Sequence, residues 1–228
     1  VPSRSAPQKL PCDDLSIIEQ SFLRGGTVAE IRALFWDAGG VLLSNAWDHV
    51  ERDLAIAQFR LDKAEFEARH KDLVPAFEQG RLSLDEYLER SVFYQPRNFT
   101  PEEFKQFMFS LSKPKTEVLE IARSLSFKYF TATLNNESRE LNQYRIQTFG
   151  LAVFFQLFVS SCFVGVSKPD ERIYRLALDL IQHAPEECCF IDDRPANIAV
   201  AAKVGMRTVL MQDPAQLRRD LQGLGVEG

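Results

Sequence analysis

Asp37 closes the apolar run Ile31-Arg32-Ala33-Leu34-Phe35-Trp36 and stands directly before Ala38-Gly39-Gly40-Val41. A carboxylate at the carboxyl end of a buried strand lies where open α/β sheets carry out their chemistry. An aspartate in that place can act as a covalent nucleophile. Polar groups recur at the ends of three later apolar runs: Asn135-Asn136, Ser160-Ser161 leading on to Lys168, and Asp192-Asp193. Asp37 together with Asp192 or Asp193 offers hard oxygen ligands suited to Mg²⁺. Lys168 can neutralise the crowding of those carboxylates and hold an anionic group. Asn135 can donate an amide hydrogen bond to an oxygen of a transferring group.

For these groups to meet, the runs that carry them must lie side by side in one parallel sheet. From about residue 115 the pattern alternates helix and strand with short links. It predicts a helix over 115–125, a strand Phe127–Leu134, a helix over 137–149 and a strand Phe155–Ser160. After a loop to Lys168 come a helix over 170–182, a strand Cys188–Ile191, a helix from Pro195 to Gly205, a strand Arg207–Met211 and a last helix opened by Pro214. Such alternation predicts an α/β fold with a doubly wound parallel sheet covered on both faces. Residues 46–112 show helical periodicity throughout, with capping boxes at Ser83-Leu84-Asp85-Glu86 and Thr100-Pro101-Glu102-Glu103. This stretch reads as a helical cap domain inserted after the first strand. Its aromatic residues Phe66, Phe77, Tyr87, Phe93, Phe104, Phe107 and Phe109 are expected to form its own core. The core domain is then 31–45 with 113–228. Residues 1–30 form an extension in which Ser16-Ile17-Ile18-Glu19 reads as the cap of a short helix.

The chain of 228 residues carries 27 basic and 32 acidic side chains, a net charge of -5 with no basic block, which argues against nucleic acid as a partner. No stretch is long and apolar enough to cross a membrane, and the first thirty residues lack the apolar region of a secretory signal. The four cysteines Cys12, Cys162, Cys188 and Cys189 lack metal-ligand spacing. Cys188 and Cys189 read as buried free thiols, which points to a reducing, cytoplasmic setting. His49, His70 and His183 read as solvated or structural.

The motifs together resemble the haloacid dehalogenase superfamily, in the branch whose cap follows the first strand. The resemblance rests on Asp37-Ala38-Gly39-Gly40-Val41, on Asn135 at the second strand end, on Lys168-Pro169-Asp170-Glu171-Arg172-Ile173-Tyr174, and on Ile191-Asp192-Asp193 with Asn197 and Gly205-Met206. It covers nearly everything from residue 31 onward. The pattern looks most like sugar-phosphate phosphatases and the N-terminal phosphatase domain of soluble epoxide hydrolases. The resemblance implies that Asp37 is the nucleophile and forms an aspartyl intermediate, and that Lys168 stabilises it and the phosphoryl group. It implies that Asp193 ligates Mg²⁺ directly with Asp192 in support, and that the remaining protein ligand is the main-chain carbonyl of Gly39. Asn136 and the turn glycine Gly40 are expected beside the substrate.

Two positions depart from the family pattern. Asn135 replaces a Ser or Thr, and Gly39 replaces the acid that ordinarily protonates the leaving group, a contribution worth roughly 10²–10⁴-fold in rate. Asp48 and Glu137 lie near enough in sequence to substitute for that acid, although each reads first as a helix cap or a solvated charge. Three functions fit this pattern. One is an Mg²⁺-dependent phosphomonoesterase acting on a small phosphorylated metabolite, as a monomer or homodimer. Another is a non-catalytic relative that binds a phosphorylated ligand or a protein. The third is a metal-independent haloacid dehalogenase, which needs a cap arginine for the substrate carboxylate, with Arg52, Arg60, Arg69, Arg81 and Arg90 as candidates.

Overall fold

The computed structural model describes residues 29–228, so the helix expected from Ser16 and the cysteine at position 12 lie outside the described residues. The chain opens with β1 (Ala33–Trp36), followed by the helices α1 (His49–Phe59), α2 (Lys63–Glu78), α3 (Leu84–Ser91) and α4 (Pro101–Ser110). Then come α5 (Thr116–Leu125), β2 (Phe130–Asn135), α6 (Arg139–Thr148), β3 (Leu157–Ser160) and the short α7 (Ser161–Val164). The chain continues through α8 (Glu171–Ile181), β4 (Cys188–Asp192), α9 (Pro195–Val204), β5 (Arg207–Leu210) and α10 (Pro214–Gly223). Among the described residues the strands form one sheet in the order β3-β2-β1-β4-β5. All pairings are parallel. The chain winds outward from β1 on one side and then returns to build the other. β1 is therefore both the central strand and the point where the winding reverses, which is where doubly wound sheets bind ligands.

The period-two alternation of strand side chains divides the core in two. Leu34 and Trp36 of β1 face one side of the sheet with Cys189 and Ile191, against Val118 and Ile121 of α5 and Leu217 and Leu221 of α10. Ala33 and Phe35 face the other side with Cys188 and Phe190, against Ile173, Tyr174 and Ala177 of α8 and Ala201 of α9. Both cysteines of β4 are thus buried free thiols. No helix among the described residues is long and apolar enough to cross a membrane.

The four helices between β1 and α5 carry their own apolar cluster, built around Phe66, Phe77, Tyr87 and Phe104. Phe93, Phe107 and Phe109 pack partly buried against it. The cluster extends to Leu141 of α6, and Phe109 stacks on Tyr144 of that helix at 4.7 Å. Both expected capping boxes form. Glu86 accepts from Ser83 N at 2.9 Å and returns its own N–H to Ser83 Oγ at 3.2 Å. Glu103 and Thr100 do the same at 2.7 and 3.2 Å.

Three strands start later than their apolar runs, and β1 begins at Ala33, two residues after Ile31. Lys128 and Tyr129 both donate to the Leu125 carbonyl at 3.0 Å, so Phe127–Tyr129 finish the turn after α5 and β2 begins at Phe130. A 3₁₀ turn over Leu151–Val153 takes the N–H of Phe155 to the Leu151 carbonyl at 3.0 Å, which delays β3 to Leu157. The loop expected between Ser160 and Lys168 opens instead with the single turn of α7.

Beyond the end of α2 the chain is held against the α7 corner. Ser161 Oγ donates to the Glu78 carbonyl at 2.6 Å. Gly80 has φ +67, and a Cβ there would stand 2.0 Å from the Cys162 carbonyl oxygen. Gly150 has a similar φ of +61, but its nearest neighbour to such a Cβ is 4.0 Å away. Both would bear the left-handed penalty of about 1–2 kcal/mol if replaced by alanine. Gly80→Ala would in addition force two backbone segments apart. Gly80→Ala is expected to destabilise the protein by about 2 kcal/mol more than Gly150→Ala, read from urea unfolding midpoints of the two variants.

Candidate active site

Asp37 follows β1 immediately, and its N–H donates to the Ile191 carbonyl at 2.9 Å, which carries the sheet pairing one residue beyond the strand. Its carboxylate accepts from Ala38 N at 2.8 Å and from Lys168 Nζ at 3.0 Å. The same ammonium reaches Asp192 Oδ2 at 2.6 Å. Lys168 itself is clamped from behind by Asn136, whose carboxamide accepts from Lys168 N at 2.8 Å and donates to the Lys168 carbonyl at 2.8 Å. Asn136, expected at the substrate, lines the cavity that Asp37 faces and also holds the lysine's backbone.

Asp192 is fully buried at the end of β4. Its oxygens accept from Lys168, from Arg194 N at 2.8 Å and from the Asn197 amide at 3.0 Å each. Asp193 differs, because its buried Oδ1 has no partner among the described residues. One carboxylate oxygen from each of Asp37, Asp192 and Asp193 lies within 4.8 Å of the others. With Asp192 committed to Lys168, Asn197 and backbone, the acid left with a free oxygen is Asp193. An orphaned buried carboxylate oxygen in a cluster of hard donors is what a small divalent cation requires. Burial raises Asp37 above the usual carboxylate range; the Lys168 ammonium opposes this and the Asp192 charge adds to it. Asp193 is raised by burial and then by Asp192.

Gly40 (φ +79) is where this geometry becomes possible. A Cβ on it would fall 2.1 Å from Asp193 Oδ2, so any side chain would evict the carboxylate from the cluster. The Gly40 carbonyl accepts from Lys115 Nζ. Gly40 was expected beside the substrate; its contacts show it making room for Asp193.

Asn135 ends β2 as expected, but its side chain is paired within the fold. The register pairs it with Ser160 of β3, and at these buried strand ends each polar side chain needs a partner. Its amide donates to Asn142 Oδ1 at 3.1 Å and its carbonyl oxygen accepts from Ser160 Oγ at 2.9 Å. It is turned along the sheet edge and does not line the cavity that Asp37 faces.

That cavity, of about 510 Å³, is bounded below by Asp37, Gly39, Lys168 and Asn197 and above by Trp47, Arg52, His70, Val74 and Glu78. No phenylalanine of the helical insert lines it. Those rings build the insert's core and leave the polar groups to face inward. Burial brings His70 down to about 4, and it is held through Nδ1 by Tyr87 Oη at 2.8 Å. Of the five arginines considered for a haloacid carboxylate, Arg52 alone lines the cavity. Its guanidinium is already forked onto Glu67 at 2.9 and 3.1 Å and onto the Trp47 carbonyl at 3.0 Å. Asp48 is the cap of α1, accepting from His49 N at 2.7 Å, and pairs with Arg194 at 2.8 Å. Glu137, read as a cap or solvated charge, is instead 8% exposed and ion-paired to Arg145 at 2.8 Å.

Glu78 and Arg145 carried no motif. Arg145 sits four residues after Leu141 on the buried stripe of α6, and that placement was its one sequence signal. Glu78 ends α2 one turn beyond Pro75. Burial, then the Glu137 charge, pushes it up to about 7 from its ordinary 4.5. A carboxyl raised on folding contributes stability that is complete below the unfolded pKa and lost as pH rises through the folded one. Glu78→Gln is therefore expected to become more stable than the parent between pH 4.5 and 7 and to hold that advantage above, by about 1–3 kcal/mol. Urea unfolding of both proteins at pH 5 and pH 8 measures it.

A bifunctional epoxide hydrolase 2 from Sus scrofa is 26% identical over 212 residues, covering 84% of this chain and 38% of that protein, so the chain spans well under half of that relative. D-ribitol-5-phosphate phosphatase from Bacteroides thetaiotaomicron is 24% identical over 214 residues, covering 84% of this chain and 97% of that enzyme. A crystal structure of a HAD family enzyme from Bacteroides thetaiotaomicron superposes with a TM-score of 0.72 at 20% identity, covering 80% of this chain and 94% of that one. That enzyme has also been solved in complex with magnesium and inorganic phosphate. Residues 31–205 match the model of the family described as haloacid dehalogenase-like hydrolase, and that span holds Asp37, Lys168, Asp192 and Asp193. This chain belongs to the haloacid dehalogenase-like hydrolase family.

Proposed function

We propose that the protein is an Mg²⁺-dependent phosphomonoesterase acting on a small phosphorylated metabolite through an aspartyl intermediate on Asp37. The observation that carries this reading is the unpartnered buried oxygen of Asp193 beside Asp37 and Asp192. Other buried polar atoms, such as Trp36 Nε1 and Thr133 Oγ1, are also unpaired, and what sets Asp193 apart is that its free oxygen lies in a cluster of three carboxylates. D-ribitol-5-phosphate phosphatase, one of the similar proteins, supports the same class.

Asp37, Asp193 and the main-chain carbonyl of Gly39 would hold Mg²⁺, with Asp192 in support. The ion, when bound, supplies positive charge against the phosphoryl oxygens. The chain's own residues do the rest. Asp37 presents one carboxylate oxygen to phosphorus while Lys168 holds the carboxylate in place and faces the phosphoryl group as a fixed cation. Asp192 and Asn136 hold Lys168, so its ammonium is oriented before substrate arrives. Water then cleaves the aspartyl phosphate and restores the carboxylate. The helices over residues 46–112 act as a cap whose inner wall, from Trp47 to Glu78, covers the cavity and excludes water during the first transfer.

Phosphate release from a panel of small phosphoesters with and without Mg²⁺ tests the proposal. Metal-dependent release that falls by about 10³-fold or more in Asp37→Asn is expected. Asp193→Asn is expected to abolish the rise in melting temperature that Mg²⁺ alone gives the parent. Release unaffected by Asp37→Asn would exclude the aspartyl route.

A further inference from the structure

Gly39 leaves a space where the family's leaving-group acid would stand, bounded by Asn45 and Arg145. A Cβ built on Gly39 would meet Asn45 Oδ1 at 3.4 Å and Arg145 Nη1 at 3.7 Å. Arg145 is 2% exposed and lines the cavity that Asp37 faces. Its Nη1 donates to Glu137 Oε2 at 2.8 Å and its Nη2 to the Ser44 carbonyl. Its buried Nε has no partner among the described residues, and each terminal nitrogen keeps a second hydrogen. The guanidinium is therefore anchored on two sides and still has donors to offer. The position that would hold an acid is faced by a cation.

The two groups do different chemistry. A carboxylic acid hands over a proton, so it serves leaving groups too basic to depart as anions. A guanidinium keeps its charge and its protons, so it stabilises an oxyanion without protonating it. We propose that Arg145 stands in for the missing acid as an electrostatic acceptor of the leaving group. The substrates would then be phosphate compounds whose leaving oxygen departs as a stable anion: acyl phosphates and aryl or enol phosphates, rather than phosphates of simple alcohols. Glu137 positions Arg145, and the pair neutralises two charges that burial would otherwise penalise.

The steps balance. An Asp37 oxygen bonds to phosphorus as the bond from phosphorus to the leaving oxygen breaks, and the electron pair stays on that oxygen, facing Arg145. Water then attacks phosphorus, the bond to Asp37 breaks, and phosphate leaves with both hydrogens of the water before losing a proton to solvent. No acid at position 39 is required in either step.

This inference rests on the phosphomonoesterase reading, and the test separates the two. With Mg²⁺ present, kcat/KM is measured on acetyl phosphate, 4-nitrophenyl phosphate, phenyl phosphate and glycerol 3-phosphate. The parent is expected to lose at least about 100-fold from the second to the fourth. Arg145→Gln should lose about 10²–10³-fold on phenyl phosphate and less on acetyl phosphate, which steepens the dependence on the leaving group. Because that variant leaves Glu137 buried and unpaired, the double variant Arg145→Gln/Glu137→Gln is measured beside it and should show the same steepening. A purely structural role for Arg145 lowers all four substrates by one factor, and that result overturns the inference. Equal rates of the parent on aryl and alkyl phosphates overturn it as well. No release from any of the four overturns the phosphomonoesterase reading and the inference together.

Discussion

Everything at the strand ends depends on one buried ammonium. Lys168 Nζ lies 3.0 Å from Asp37 and 2.6 Å from Asp192, with its side chain 2% exposed. Three carboxylates with oxygens within 4.8 Å of one another repel strongly in a medium that screens poorly. A single cation bridging two of them offsets part of that repulsion, and its position is in turn fixed through Asn136 and through the hold of Asn197 on Asp192. Breaking such a pair by removing one partner is far more damaging than never having built it. The remaining negative charge is concentrated on Asp193 and on the exposed side of Asp37, where a divalent cation and a phosphoryl group would share it.

The fold was largely legible because its signals are local. Near-continuous apolar runs bounded by helices with Ser, Thr or Pro at their starts can be read without tertiary information; β4 and the capping boxes at Ser83 and Thr100 stand where those signals put them, and β1 ends where its run does. The strand starts at Phe130 and Leu157 were less legible, because Phe127 and Phe155 are apolar whether they lie in a strand or in the turn before it. Hydrogen bonds back to Leu125 and Leu151 decide the matter, and composition does not encode them.

The gathering of polar groups was legible where it depends on residue type at or shortly after a strand end, as with Asp37, the Asp192-Asp193 pair and Lys168 on the segment after β3. The site was illegible where the role depends on which way a side chain turns. Asn135 and Asn136 are identical neighbours; one is drawn along the sheet edge to Ser160 and the other grips the backbone of Lys168. Gly39 and Gly40 could be told apart by motif position, but not by what surrounds them. The second is required because Asp193 occupies its side-chain space, while the first opens onto Asn45 and Arg145. Arg145 and Glu137 are eight residues apart on and beside one helix, and their pairing emerges only once α6 is laid against the cavity. A missing acid was visible in the sequence, whereas the cation facing its place was not.

The most direct measurement is a single turnover with isotopically labelled 4-nitrophenyl phosphate and Mg²⁺, quenched in acid and mapped by peptide. Label on the peptide that contains Asp37, absent when Asp37→Asn is used, is the predicted result. Label on another acid such as Asp193, or phosphate release with no labelled peptide at any time point, would contradict the assignment of Asp37 as nucleophile and with it the reading of this site.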